Sequence, residues 1–201
     1  GQAYPETVAA CLGADIRNLG HTMSTTRELL QFARDYPAQQ YQIAIIQYGL
    51  VDSWLTFRHS PYVLYYPNNP LRKLLRKLVK KLKKYARTFG IHELLGSVTV
   101  VPLEEYVSNI RAVISSAPGT RFYLVSTAPN LDEPRNPRIE EYNRALATLA
   151  DEYSNARYVE TYATLYPRRH ELYFPDGTHL NAEGQAVVTQ LVMAAIRTDE
   201  Q

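Results

Sequence analysis

Two kinds of segment alternate along the chain. Residues 41–48 form an apolar, β-branched run ending at Gly49, which is typical of a strand buried on both faces. Residues 102–116 instead repeat apolar positions at helical spacing, start at a proline and end before Pro118-Gly119. The same criteria predict strands at 15–19, 41–48, 121–126 and 157–160, and helices at 4–12, 25–34, 102–116, 139–153 and 181–197. This alternation predicts an α/β fold with a parallel sheet covered by helices on both faces.

Residues 71–89 show a second helical pattern with an unusual polar face. Apolar positions recur at helical spacing, and lysine or arginine fills the positions between them. The apolar positions are Leu71, Leu74, Leu75, Leu78, Val79, Leu82, Tyr85 and Phe89, and the basic ones are Arg72, Lys73, Arg76, Lys77, Lys80, Lys81, Lys83, Lys84 and Arg87. The pattern predicts a strongly amphipathic, basic helix.

The charge of the chain is concentrated around that helix. The formal net charge is only +2, but residues 53–92 contain ten of the 22 Lys and Arg and no Asp or Glu. The remainder, with 12 basic and 20 acidic residues, has a net charge of −8. We interpret 53–92 as a basic, tyrosine-rich insertion within one domain spanning 1–201, since about 150 residues is a typical domain length.

Three roles are open for the basic segment Arg72–Arg87. It either lies on an anionic membrane surface, holds a polyanionic glycan, or packs on the domain with a solvated cationic face. Nucleic acid is disfavoured as a partner because no known reader motif accompanies the charge and the rest of the chain is acidic.

Composition narrows the class of protein. With 45% hydrophobic and 21% charged residues, the chain has the profile of an ordinary soluble globular domain. It contains no apolar run near the roughly 18 residues of a membrane span and no signal-peptide pattern, so a cytoplasmic and a membrane-peripheral location both stay open. Because Gly1 stands where a start methionine would be, we expect a processed, tagged or excised start.

Cysteine and histidine suggest neither a disulfide nor a metal site. Cys11 is the single cysteine and lies in an apolar helical stretch, so we expect an inert core thiol. Four of the five histidines have no partner at metal-ligand spacing. They are His21, His59, His92 and His170. No metal is expected.

The segment 174–184, Phe-Pro-Asp-Gly-Thr-His-Leu-Asn-Ala-Glu-Gly, contains the clearest chemical signal. Asp176 and His179 are three residues apart in a turn before a helix. In such a turn the carboxylate can orient one ring nitrogen and leave the other free as a general base. The alternative is an ordinary Asp turn with a capping histidine.

This segment resembles the last motif of the SGNH, or GDSL-type, hydrolase superfamily, Asp-x-x-His followed by Leu-Asn-x-x-Gly. Two further blocks occur in the order of that family. Asn18-Leu19-Gly20 with Ser24-Thr25-Thr26 is similar to its second block, and residues 45–52, Ile-Ile-Gln-Tyr-Gly-Leu-Val-Asp, are similar to its third.

The resemblance implies a flavodoxin-like, three-layer α/β/α fold and ester hydrolysis without a cofactor. It implies that His179 is the general base and Asp176 its orienting carboxylate. It implies two loops at the oxyanion site, Gly20 to Ser24 and Gly49 to Asp52. The first of them contains Met23.

Two positions depart from the family pattern at the predicted oxyanion site. Val51 stands where the family has an Asn side chain, and loss of one such donor typically costs about 10²- to 10³-fold in rate. Gln47 points to the same side of the strand but is roughly 13 Å away. Met23 stands where the family usually has glycine.

The serine-bearing first block of the family is absent from this sequence. Ser24, Ser53 and Ser126 are in-chain alternatives, each in a predicted strand-end loop. We expect instead that the nucleophile lies on a first strand that these residues lack, between the strands at 15–19 and 41–48. Because its loss would leave two strands unpaired, an equivalent strand is expected from upstream residues, another chain or a rearranged sheet.

The predicted substrate is an O-acyl ester, most simply an O-acetyl group of a surface or extracellular polysaccharide. Aromatic residues beside the Asp52 loop, Trp54, Tyr62, Tyr65 and Tyr66, either form a sugar-stacking wall or pack the insertion onto the domain. Two other functions stay open: a polysaccharide O-acyltransferase on the same fold, and a non-catalytic domain that docks on a glycan or a membrane.

Overall fold

A three-stranded parallel sheet lies at the centre of the computed structural model, which describes residues 3–90 and 95–199. The strands are β1 (Ile43–Ile46), β2 (Leu55–Phe57), β3 (Ser97–Thr99), β4 (Arg121–Val125) and β5 (Ala156–Val159). The helices are α1 (Tyr4–Leu12), α2 (Thr26–Asp35), α3 (Pro70–Thr88), α4 (Leu103–Ser116), α5 (Asn136–Asp151), α6 (Tyr162–Leu165), α7 (Arg169–Leu172) and α8 (Ala182–Thr198). The central sheet has the order β1-β4-β5, whereas β2 and β3 form a separate antiparallel pair.

The central sheet separates two hydrophobic cores. Alternate side chains of β4 point to opposite faces, as the period of two in a strand requires. Phe122 and Leu124 enter the core shared with α2, α4 and α5, whereas Tyr123 and Val125 enter the core shared with α1 and α8. All four side chains are fully buried. The predicted three-layer α/β/α fold with a parallel sheet is therefore confirmed.

Local sequence signals set the ends of several helices. Thr25 and Glu28 form a capping box at the start of α2, in which each side chain accepts a hydrogen bond from the other's backbone N–H. Asn181 caps α8 by accepting a hydrogen bond from the N–H of Gly184. Gly13 ends α1 in the left-handed region, at φ 62°. The predicted helices are confirmed, with small shifts at their ends.

Residues 15–19 do not form the predicted strand. The segment has no regular secondary structure, and most of its side chains are exposed. A strand needs a neighbour to satisfy its backbone groups. Here the outer edge of β1 has no partner strand among the described residues, and a cleft separates it from 15–19.

Cys11 is exposed rather than part of the core, so this expectation was wrong. The short helix α1 buries Tyr4 and Val8 against the core that it shares with α8, whereas Cys11 lies outside that contact. A short apolar run does not by itself show which side of a helix packs against the core.

The basic insertion leaves and rejoins the domain through the β2–β3 pair. Leu55 lies opposite Thr99 and Phe57 opposite Ser97, so the two ends of the insertion are held side by side. The predicted amphipathic helix is present as α3. No helix in 3–90 or 95–199 combines the length and apolar character that crossing a bilayer requires. His92 lies outside the described residues.

Candidate active site

The predicted Asp-His pair forms in the turn before α8. His179 Nδ1 lies 2.7 Å from Asp176 Oδ2. Asp176 Oδ1 accepts hydrogen bonds from the backbone N–H groups of Thr178 and His179, each at 2.9 Å. One carboxylate oxygen therefore fixes the turn while the other holds the imidazole, and Nε2 is left for a reacting group.

The hydrogen bonds also determine the charge state of Asp176. The N–H of His179, then that of Thr178, and then the imidazole lower the pKa of the Asp176 carboxyl from 3.8 to about 2. The Asp176 carboxylate is therefore an anion that lies beside the imidazole of His179.

Packing around the turn holds the pair in place. Gly177 adopts φ 69°, and a Cβ there would come within 3.0 Å of the Leu131 side chain. The N–H of Phe174 donates to the carbonyl of His179 at 2.8 Å. Asn130, which is buried, donates from Nδ2 to Thr178 Oγ1 at 3.3 Å. The dyad therefore sits on a backbone braced from the loop that follows β4.

A cleft of about 1160 Å³ opens beside this pair. His179 lines one wall, and the loops predicted to form the oxyanion site line another. Side chains from both faces of β1, including Ile45 and Ile46, also line the cleft. The cleft therefore runs along the outer edge of β1. The described residues contain no cluster of three or more side chains suited to a metal ion.

The loop from Gly20 to Ser24 lines the cleft, but the backbone N–H of Gly20 donates a hydrogen bond within the loop region. Asn18 Oδ1 accepts the N–H of Gly20 at 2.8 Å. Met23 has φ 61°, in the left-handed region that costs an L residue about 1–2 kcal/mol. The position that resembles a family glycine thus has a glycine-like backbone. Asn18 was not predicted as a site residue, although Asn-x-Gly is a known turn signal.

The loop from Gly49 to Asp52 is tied inward. Asp52 Oδ1 accepts the N–H of Thr26 at 2.9 Å and its hydroxyl at 2.8 Å, and Oδ2 accepts the N–H of Gly49 at 3.2 Å. Burial raises the pKa of Asp52 from 3.8 to about 6, and the bonds from Thr26 counteract part of that rise. Asp52 therefore joins two loops behind the cleft wall and does not line the cleft itself.

Gly49 is required by its surroundings. Its φ is 130°, and an added Cβ would lie 2.5 Å from Thr127 Oγ1. In the same loop, Val51 stands where the family has Asn. It lines the cleft, but its side chain has no hydrogen-bond donor. Gln47, the other amide on this strand, donates from Nε2 to the carbonyl of Ser126 at 3.1 Å.

The three in-chain serines differ in what their hydroxyls do. Ser53 donates to the carbonyl of Leu50 at 3.1 Å, and buried Ser126 accepts the N–H of Thr161 at 2.7 Å. Both are used in the structure of loops. Ser24 lines the cleft, and its Oγ is buried without a hydrogen-bond partner among the described residues.

The aromatic residues of the insertion divide into two groups. Trp54 lines the cleft, with its ring under the guanidinium of Arg135 at 5.3 Å. Tyr62 and Tyr65 instead donate to Glu28 of α2, through the hydroxyl and the backbone N–H respectively. Tyr66 donates likewise to Asp35 Oδ2 at 2.7 Å. For the three tyrosines these contacts favour the packed-insertion interpretation over the sugar-stacking wall.

Known structures of the same fold include ester hydrolases. The acetylxylan esterase Axe2 from Geobacillus stearothermophilus aligns with a TM-score of 0.66 and 18% identity, over 98% of this chain and 81% of that one. The lipase/acylhydrolase from Enterococcus faecalis aligns with a TM-score of 0.64 and 15% identity, over 98% and 85% of the two chains. A search of curated proteins finds no match.

At this level of identity, structural similarity shows the fold alone, and the family rests on the sequence itself. The family model described as the GDSL-like lipase/acylhydrolase family matches residues 1–187, which include all three blocks, the last of them containing the Asp176–His179 turn. The chain belongs to the GDSL-like lipase/acylhydrolase family and is a carboxylic ester hydrolase of the esterase type.

Proposed function

We propose that this protein hydrolyses O-acyl esters of a carbohydrate, with O-acetyl groups as the preferred class. The observation that carries the proposal is the Asp176–His179 pair at 2.7 Å on the wall of an open cleft. His179 takes the proton of the attacking hydroxyl through Nε2 and returns it to the leaving alcohol. Asp176 keeps the imidazole in the required tautomer and orientation.

The carbohydrate part of the proposal rests on two features. The structural relative Axe2 is described as an acetylxylan esterase, at 18% identity. In this chain Trp54 lines the cleft, and an aromatic ring at that place suits contact with a sugar ring. The small acyl group would face the His179 wall.

We propose further that the nucleophilic serine arrives on an extended segment that pairs with the outer edge of β1. That edge has no partner strand among the described residues, and the cleft runs along its whole length. Apolar side chains from both cores face the gap, and an added strand would cover them. The second candidate is Ser24, because it lines the same cleft and its hydroxyl has no hydrogen-bond partner within 3–90 and 95–199.

A fluorophosphonate probe, which labels activated serines, separates these possibilities. The protein is treated with the probe, and the labelled peptide is identified by mass spectrometry. Labelling of a serine outside 1–201 in the native gene product supports the added strand, and labelling of Ser24 supports the second candidate. If no serine is labelled and p-nitrophenyl acetate is not hydrolysed, the proposal is rejected in favour of the non-catalytic domain.

A hydrolase and an O-acyltransferase differ in the molecule that accepts the acyl group, which is water for the first and a sugar hydroxyl for the second. We expect acetate release from an acetylated xylan at a rate that added sugar alcohols do not change. Transfer of the acetyl group to an added oligosaccharide, with little free acetate, would instead establish the O-acyltransferase on the same fold.

A further inference from the structure

Two arginines of α3 bond to the segment of the insertion that precedes the helix. Arg72 donates from Nη1 to the carbonyls of Tyr66 and Pro67, at 3.0 and 3.1 Å. One turn later, Arg76 donates from Nη1 to the carbonyl of Leu64 at 2.8 Å. The side of the helix that contains Arg72 and Arg76 therefore faces the rest of the insertion.

The apolar side of α3 faces outward. We define the leucine stripe as Leu71, Leu74, Leu75, Leu78, Leu82 and Phe89, which are between 40% and 73% exposed. These positions follow helical spacing and so lie on one face of the helix. An ordinary surface helix turns such a face toward the core. Contiguous exposed apolar surface of this kind is typical of a surface that binds a partner.

Lysines occupy the sides of α3 next to the stripe and opposite it. Lys73, Lys77, Lys80, Lys81 and Lys84 are all exposed. The whole stretch 53–92 has no acidic residue that could neutralise them locally. Among the described salt bridges, none involves Lys77, Lys80 or Lys84. The helix thus combines an uncovered apolar face with a dense, exposed positive charge.

We propose that α3 binds the surface of an anionic lipid membrane. The leucine stripe lies at the boundary between headgroups and acyl chains, and the lysines lie among the lipid phosphates and carboxylates. Amphipathic helices with lysine on the polar face and leucine or phenylalanine on the other bind membranes in this manner. The combination positions the hydrolase at a lipid surface without a spanning helix.

Two other partners fit the same surface less well. A polyanionic glycan would pair with the lysines but would leave the leucine stripe in water. A second copy of the chain would cover the stripe, but it would also bring two lysine-rich helices side by side without a counter-charge. Only an anionic surface with an apolar interior matches both features at once.

The test is co-sedimentation of the full-length protein with phosphatidylcholine vesicles that contain about a third phosphatidylserine. We expect binding at low salt that weakens steeply as ionic strength rises, since the Debye length falls to about 8 Å at physiological salt. Vesicles of phosphatidylcholine alone should bind at least tenfold more weakly.

Two paired variants separate charge from apolar burial. Lys80→Gln with Lys84→Gln should weaken binding about tenfold or more, because each lysine near an anionic surface contributes about a factor of five. Leu78→Gln with Leu82→Gln should weaken vesicle binding by at least as much while leaving retention on heparin unchanged. Neither pair should shift the melting temperature.

Matched controls use residues of similar exposure away from α3. Leu55→Gln removes an exposed leucine of β2, and Arg144→Gln with Arg197→Gln removes two exposed arginines. Both controls should bind vesicles as the wild type does.

Three results would overturn the proposal. The first is no binding to anionic vesicles at low salt. The second is vesicle binding that the leucine substitutions leave intact, which would indicate a polyanion site. The third is a dimer that those substitutions dissociate, with no vesicle binding, which would indicate a second copy. All three readouts are independent of ester hydrolysis, so they do not depend on the proposed function.

Discussion

Two aspartates of the site region, Asp176 and Asp52, accept backbone hydrogen bonds in similar ways but have opposite properties. Asp176 lies in an exposed turn, and its bonds lower its pKa to about 2. Asp52 is buried, and desolvation raises its pKa to about 6 in spite of similar bonds. The comparison shows that the surroundings of a carboxylate, more than its hydrogen bonds, decide whether it can present a fixed charge to a reaction.

The two aspartates also hold different groups in place, a side chain in one case and backbone in the other. Asp176 holds a side chain, the imidazole of His179, at the mouth of the cleft. Asp52 holds backbone, joining Thr26 at the start of α2 to Gly49 at the end of β1. Substitutions at the first region should therefore change rate, and substitutions at the second should change stability.

The largest expected effect is on rate. In the native, active protein, His179→Ala should lower kcat/KM for p-nitrophenyl acetate by about 10²- to 10⁴-fold, the usual contribution of a general base. The melting temperature should stay within about one degree of wild type, because the His179 side chain is mostly exposed. An unchanged rate would remove the catalytic role from this turn.

The second effect is on stability. Asp52→Ala should lower the free energy of unfolding by about 2–4 kcal/mol, because two buried N–H groups and a hydroxyl lose their acceptor. Urea unfolding measures the change. Asp176→Ala is the matched control, and we expect it to lose far less stability than Asp52→Ala. Equal losses for both would contradict the division of roles.

The third effect is the pH dependence of stability, for which the two aspartates have opposite signs. The folded-state pKa of Asp52 is raised, so the folded protein binds more protons and stability falls as pH rises from about 4 to 6, by up to about 3 kcal/mol. The folded-state pKa of Asp176 is lowered, so its contribution is present above pH 4 and is lost toward pH 2.

Unfolding measured at several pH values for Asp52→Asn and Asp176→Asn tests these signs. Asp52→Asn should flatten the slope between pH 4 and 6, and Asp176→Asn should flatten only the slope below pH 4. A pH profile of Asp52→Asn that runs parallel to wild type would show that Asp52 is not the group that titrates.

The smallest effect concerns the loop that Asp52 supports from behind. Met23→Gly should raise the free energy of unfolding by about 0.5–1 kcal/mol, because glycine adopts φ 61° without steric cost. Thr22→Gly is the control and should lower stability, since only chain entropy changes there. A loss of stability in Met23→Gly would mean that the packing of its side chain outweighs the strain.

Much of the site could be predicted because it is local. Asp176 and His179 are three residues apart, and a turn of that length brings them together wherever the domain places it. The caps at Thr25 and Asn181 are equally local. Short-range hydrogen bonds depend on neighbouring residues, so the sequence could indicate the contact between Asp176 and His179, whereas the catalytic roles of the two residues stay a prediction.

Predictions that depended on a distant partner were either wrong or left open between alternatives. Residues 15–19 have strand-like character but no strand to pair with among the described residues. Cys11 lies in an apolar stretch but outside the contact between α1 and α8. Tyr62 and Tyr66 bond to α2, which precedes them by about thirty residues, and no local pattern indicates that choice.

The helix α3 shows how far the sequence alone could predict the structure. The spacing of its leucines and lysines determined by itself that a basic, amphipathic helix forms, because i, i+3 and i+4 positions always share a face. Only the tertiary structure decided that the leucine stripe is exposed, because the helix turns Arg72 and Arg76 toward the carbonyls of Leu64, Tyr66 and Pro67. Periodicity is a property of the helix alone, whereas the exposure of each face depends on where the rest of the fold lies around it.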